Sequence, residues 1–228
     1  MNYPNTLNGL RKIRLSVILE MVMSVIMLII TVLSLLLLNE PPETIVTQHL
    51  ALSSFVLFLT GTDAVLAIIA LVMRLVGASS AGKEAAPFRT AFIILICSLA
   101  GSVAANLLPL PETVKDILSY AVRCLSLASM IYIFSGIRVI AESMDKHAFA
   151  DKGKRLLQLI LILFAISFIG DIILSKLLHT LPPILEVVLS VAVTAFSLTV
   201  SILYYRHLTE TVSLLETDQN AQIPAEEN

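Results

Sequence analysis

Apolar residues arrive in six long blocks, each bounded by a short polar or charged stretch. The blocks run from about Leu15 to Leu38, His49 to Met73, Thr90 to Leu108, Thr113 to Ile137, Leu156 to Leu178 and Pro183 to Tyr205. Each holds about twenty residues or more, enough for an α-helix to cross the hydrocarbon of a bilayer. The pattern predicts an all-α, polytopic integral membrane protein with six transmembrane helices. Residues 1–14 then form a short basic N-terminus, 15–208 the six-helix transmembrane domain and 209–228 an acidic tail. From Glu216 onward the tail has almost nothing to bury, which predicts disorder.

The blocks are not uniformly apolar. Ser16, Glu20, Ser24, Thr31 and Ser34 recur at helical spacing in the first, and His49, Ser53, Thr60 and Asp63 in the second. Similar stripes are Asp116, Ser119, Arg123 and Ser126 in the fourth, Ser167, Asp171 and Ser175 in the fifth, and Ser190, Thr194, Ser197 and Ser201 in the sixth. Residues three, four and seven apart share one side of a helix. Five such stripes predict a polar bundle interior, with Thr60, Ser119, Ser126, Ser167, Thr194 and Ser197 as lining. The alternative is that the hydroxyls bond back to their own helices and line nothing. The third block instead gathers Ala100, Gly101, Ala104 and Ala105, small residues that let two helices approach closely, and is expected to pack most tightly.

The breaks between blocks repeat. Asn39-Glu40-Pro41-Pro42-Glu43-Thr44-Ile45 returns as Pro109-Leu110-Pro111-Glu112-Thr113-Val114, and more loosely as Leu181-Pro182-Pro183-Ile184-Leu185-Glu186-Val187. The copies lie about 70 residues apart, the span of two membrane helices with their connections. Three helical hairpins with weak internal triplication are expected. Proline and a carboxylate also suit the first turn of any helix, which gives the repeat a simpler origin.

Four charges fall inside the blocks: Glu20, Asp63, Arg123 and Asp171. A charge near the bilayer centre costs ~2.5–3.5 kcal/mol or more, so such residues face the bundle interior and find partners. Counting turns from the outer ends puts Asp63 ~20 Å deep, Arg123 ~15 Å and Asp171 ~12 Å, with Glu20 ~10 Å from the inner side. Arg123 is bracketed by carboxylates, and its fork of donors makes Asp171 the first expected partner and Asp63 the second. The group is either an ion, proton or polar-solute site, or an ion-paired lock on helix packing.

Composition agrees with the pattern: 57% of residues are hydrophobic and 14% charged, and mean hydropathy is +0.91. The formal net charge of −2, with no basic face apart from the flanks of the apolar blocks, argues against a nucleic-acid partner. The basic residues follow topology instead. With the N-terminus inside, Arg11, Lys12, Arg14, Arg74, Lys83, Arg89, Arg138, Lys146, Lys152, Lys154, Arg155 and Arg206 fall on the cytoplasmic face, against Lys115 and Lys176 outside. Both termini are therefore expected in the cytoplasm, and the short outer turns suit a bacterial cytoplasmic membrane. The first block is too long for the core of a signal peptide and lacks a small-residue cleavage site, so it is expected to be retained. On the inner face, Gly77-Ala78-Ser79-Ser80-Ala81-Gly82-Lys83 has the composition of a flexible linker.

Candidate chemistry is sparse. Cys97 and Cys124 have neither disulfide nor metal spacing and are expected to be small buried hydrophobes. The histidines, His49, His147, His179 and His207, fall at block ends or in connections; His49 and His179 share the outer face, where interfacial capping is expected. No cofactor or metal site is expected. Gly61-Thr62-Asp63 and Gly170-Asp171 resemble the paired span aspartates of intramembrane aspartyl proteases. Thr62 stands in place of that family's tyrosine, Phe168 in place of its first glycine, and the Pro-Ala-Leu element is missing. The expected function is a small-solute or ion- or proton-coupled transporter, with the bilayer, a small polar solute or ion and a cytoplasmic protein as candidate partners. The alternatives are a non-catalytic sensor, scaffold or partner-binding subunit and, more remotely, an aspartyl-type hydrolase.

Overall fold

The computed structural model describes residues 3–38, 46–177 and 183–222, with side chains for 3–33, 53–166, 168–170, 188 and 191–220. The described elements are six α-helices: α1 (Pro4–Leu38), α2 (Val46–Ala81), α3 (Ala86–Leu107), α4 (Glu112–Ser143), α5 (His147–Leu177) and α6 (Pro183–Gln222). All six are long and apolar enough to cross a membrane. Residues 39–45, the connection 178–182 with His179, and the side chains of His49, Ser167 and Asp171 lie outside the described residues.

The helices are longer than their apolar blocks. α3, with 22 residues, reaches ~33 Å, about one hydrocarbon thickness, whereas the others have 31 to 40 residues. The excess falls at the start of α1, the end of α2, the end of α4, the start of α5 and the end of α6. These are the ends that carry the cluster of Lys and Arg. The chain divides into two compact units: Met1–Arg14 with Val72–Gln158 and His207–Asn228, and Leu15–Leu71 with Leu159–Arg206.

The first unit gathers the extensions with α3 and α4. Its core holds Leu7, Leu10 and Ile13 of α1, Phe88 of α3, Ile133 and Ile137 of α4, and Leu208, Val212 and Leu215 of α6. The α6 residues recur at i, i+4 and i+7, so a stripe too short to register as a membrane block still makes one apolar helix face. The tail expected to be disordered from Glu216 is helical through Gln222, and Glu216 accepts hydrogen bonds from Arg11 at 2.7 and 3.2 Å. The basic N-terminus is, from Pro4 onward, the first part of α1.

Backbone contact between α1 and α2 is the closest feature of this unit. A Cβ on Gly9 would lie 2.4 Å from the carbonyl oxygen of Gly77, and one on Gly77 would lie 2.6 Å from that of Gly9. Ala78 and Ala81 are fully buried beside them. Hence the small-residue stretch expected to be a flexible linker is the last turns of α2, and its small residues serve helix approach. On α3, Gly101 packs against α4, where a Cβ would come 3.0 Å from Val122. That contact fits the small stripe of the third block, but Gly9 and Gly77 approach more closely.

A carboxylate from the α2–α3 turn caps α1. Glu84 accepts from the backbone N–H of Asn5 at 2.9 Å, the Asn5 side-chain amide at 2.9 Å and the backbone N–H of Thr6 at 2.7 Å. First-turn N–H groups have no partner within their own helix, and a negative charge there meets the positive end of the dipole. Partial burial alone raises the Glu84 pKa, but the hydrogen bonds from Thr6 and Asn5 outweigh it and hold the carboxyl below its ordinary value of 4.5. A lowered folded-state value means the cap stabilises fully above the unfolded carboxylate range and is lost as pH falls through the folded value. Glu84→Gln is expected to cost about 1 kcal/mol at neutral pH, with the gap from wild type closing as pH falls below the ordinary carboxyl range, in thermal melts of detergent-purified protein.

The α4–α5 connection is tight for a stated reason. Asp145 takes φ 55, the Lys146 N–H donates to Ala141 O at 2.8 Å and the Asp145 N–H donates to Glu142 O at 3.1 Å. This pair of bonds is the Schellman arrangement, whose left-handed position favours glycine. Asp145→Gly is expected to raise stability by about 1 kcal/mol, measured as an upward shift in melting temperature.

Candidate intramembrane polar site

Three helices of the second unit bring polar side chains to one open recess of about 340 Å³. α1 contributes Glu20, Met23, Ser24 and Met27, α2 contributes Asp63, and α6 contributes Thr194, Ser197 and Ser201. Spacings of four on α1, and of three and four on α6, turn the polar residues of each helix to one side. Glu20, Asp63, Thr194 and Ser197 thus line the same recess. Neither family models, curated proteins nor solved structures match this chain.

The chemistry of the recess follows from its inventory. Asp63 is half-buried, and its Oδ1 is fully shielded with no hydrogen-bond partner. Ser24 donates its hydroxyl to the Glu20 backbone carbonyl at 2.9 Å. Its proton is committed, and its lone pairs remain available. Two carboxylates and three further hydroxyls make a site rich in oxygen acceptors, suited to a proton or a hard cation rather than to an anion. Among the described residues no group of three His, Cys, Asp or Glu is placed to hold a metal ion.

The remaining expected site residues fall elsewhere. Arg123, expected inside the bundle, is exposed on α4, in the other unit. α4 buries side chains only from Ser129 onward, so its first half, including Ser119, is not part of a core. Ser126 is half-buried, and its carbonyl accepts from Ser129 Oγ at 2.7 Å. The expected Arg123–Asp171 pairing involves a side chain outside the described residues. Thr60 is exposed and bonds back to Val56 O at 2.9 Å. Thr31, Thr62 and Thr199 do the same to Met27, Phe58 and Ala195, so for these threonines the back-bonding alternative holds. Cys97 and Cys124 are exposed rather than buried, at no cost where the surroundings are lipid.

His207 departs furthest from expectation. Expected only to lie at a block end, it is 2% exposed, stacked between Phe134 and Phe149 with ring centroids 5.0 Å away on each side. Neither ring nitrogen has a hydrogen-bond partner, and a Cβ on Gly153 would lie 3.0 Å from Nε2. Its position in the sequence at a block end could not reveal this, because the two phenylalanines come from different helices.

Proposed function

We propose that the chain is a small multi-pass transporter coupled to a proton or a monovalent cation, which occupies the recess between Glu20 and Asp63. The observation that supports this most directly is the shielded, unpartnered Oδ1 of Asp63, a residue that lines the same recess as a second carboxylate and a row of hydroxyls. An unpaired carboxylate in hydrocarbon is costly, and a proton or bound cation removes the cost. Asp63 then serves as the primary ligand, Glu20 as the second carboxylate, and Ser24, Thr194, Ser197 and Ser201 as neutral oxygen ligands. The basic helix ends face the cytoplasm in this scheme, both termini with them, in a bacterial cytoplasmic membrane. The helices pair as three hairpins, of which α3 and α4, tightly packed and joined by the Leu108–Pro111 turn, are one.

The test is flux in proteoliposomes under an imposed sodium or pH gradient. Wild type is expected to dissipate one of the two, and Asp63→Asn or Glu20→Gln to abolish that activity while the protein stays folded. A second reading, a partner-binding subunit, is supported by the helical extensions. They form a core of their own and border a groove of about 580 Å³ that includes Met144, Phe149, Leu214 and Glu210. A folded wild type that dissipates neither gradient moves this reading ahead.

A further inference from the structure

A second cavity, of about 220 Å³, lies between α4 and α5 in the first unit. Its lining is graded. Ile131, Phe134 and Leu157 form the end nearer the middle of the apolar blocks, and Arg138, Ser135 and Lys154 the end nearer the α4–α5 connection. Ile131 and Arg138 are two turns apart, ~10 Å along the helix, about the distance over which a bilayer changes from acyl chain to headgroup. Gly153 completes the lining, and Phe134 is stacked on His207.

We propose that this groove binds one anionic phospholipid, with its phosphate held by Arg138 and Lys154 and its chains running past Ile131 and Leu157 into the bilayer. Charge complementarity carries the choice of occupant. Arg138 gives Nε to Glu142 at 2.7 Å, but a guanidinium has five N–H donors, and its terminal nitrogens retain donors for phosphate oxygens. Lys154 is exposed on the facing helix and supplies a second positive charge, while Ser135 adds a hydroxyl donor. The cavity lining itself holds no carboxylate, and Glu142 beside it is paired with Arg138 Nε. Basic pockets between membrane helices at the water boundary are the setting in which lipid headgroups are recognised. The apolar end separates a lipid from free phosphate, because a soluble anion gains nothing from Ile131, Phe134 and Leu157.

Native mass spectrometry of the full chain, titrated with phosphatidylglycerol, phosphatidylcholine or inorganic phosphate, tests this. Wild type is expected to retain one phosphatidylglycerol with at least about ten-fold preference over phosphatidylcholine, and to ignore inorganic phosphate. Arg138→Gln with Lys154→Gln should erase the preference. Lys83→Gln with Arg89→Gln, the same loss of charge elsewhere on the exposed surface, should keep it. Should the double variant be unstable, Lys154→Gln alone, at an exposed position, is expected to weaken phosphatidylglycerol retention by about three-fold. Equal retention of both lipids, a preference unchanged by the Arg138 and Lys154 substitutions, or phosphate binding as strong as lipid binding would each overturn the proposal.

Discussion

Gly9→Ala and Gly77→Ala are each expected to destabilise the protein by about 3 kcal/mol or more, and larger residues at either position to prevent folding. The reason is mutual. Each added Cβ meets the other helix's backbone oxygen, at 2.4 and 2.6 Å, and a carbonyl cannot swing aside as a side chain tip can. Overpacking by a methylene in an adaptable core costs about 1–3 kcal/mol, and a backbone-on-backbone clash belongs at the top of that range or above it. Forcing α1 from α2 also strains the Glu84 cap, since Glu84 follows α2 by only three residues and reaches back to the first turn of α1. The contrast lies in the same chain. Gly61 and Gly170 have nothing within 4 Å of an added Cβ. Alanine there is expected to be neutral or to stabilise by up to about 1 kcal/mol through helix propensity alone. Unfolding of all four variants in a denaturing detergent titration checks both halves, and similar losses at all four glycines would contradict the packing account.

Asp63→Leu is expected to separate stability from activity. A shielded polar atom without a partner costs about 1–3 kcal/mol, so removing Asp63 Oδ1 should raise the melting temperature. The same change removes the principal acceptor from the recess and should end any cation coupling. Asp63→Asn keeps the shape and one oxygen but adds two donors where the site presents acceptors, and it should lose coupling with little change in stability. A residue kept only to lock helix packing predicts the reverse: both substitutions would lower the melting temperature. Melting curves and gradient dissipation, measured on the same preparations, distinguish the two.

The parts of all six helices that are long and apolar enough to cross a membrane are legible in the sequence, because bilayer burial demands long apolar runs and such runs are visible without knowing any contact. The extensions are not, because their burial depends on partners: Leu208, Val212 and Leu215 look like scattered apolar residues until Leu7, Leu10, Phe88 and Ile137 complete the core around them. The same holds for Glu84, whose role as a cap for a helix 79 residues earlier leaves no local signature. In the recess, the stripes on α1 and α6 identified Glu20, Thr194 and Ser197, since helical periodicity puts them on one face. Periodicity could not separate them from Thr60 and Thr31, which share the spacing but turn their hydroxyls to their own backbones. Nor could depth alone place Arg123, because a position along the bilayer normal does not say which helices stand beside it.

The measurement closest to the central claim is the melting temperature of purified wild type and Asp63→Asn across sodium and potassium concentrations and across pH, in a choline background. A cation that binds only the folded state stabilises it by RT ln(1 + [L]/Kd), about 2.7 kcal/mol at a hundred-fold excess over Kd, and a bound proton shows the same linkage in pH. Stabilisation of wild type by sodium, potassium or protons, with Asp63→Asn indifferent to that same ion, is the predicted result. Curves for the two proteins that run parallel under every condition would contradict a cation site at Asp63.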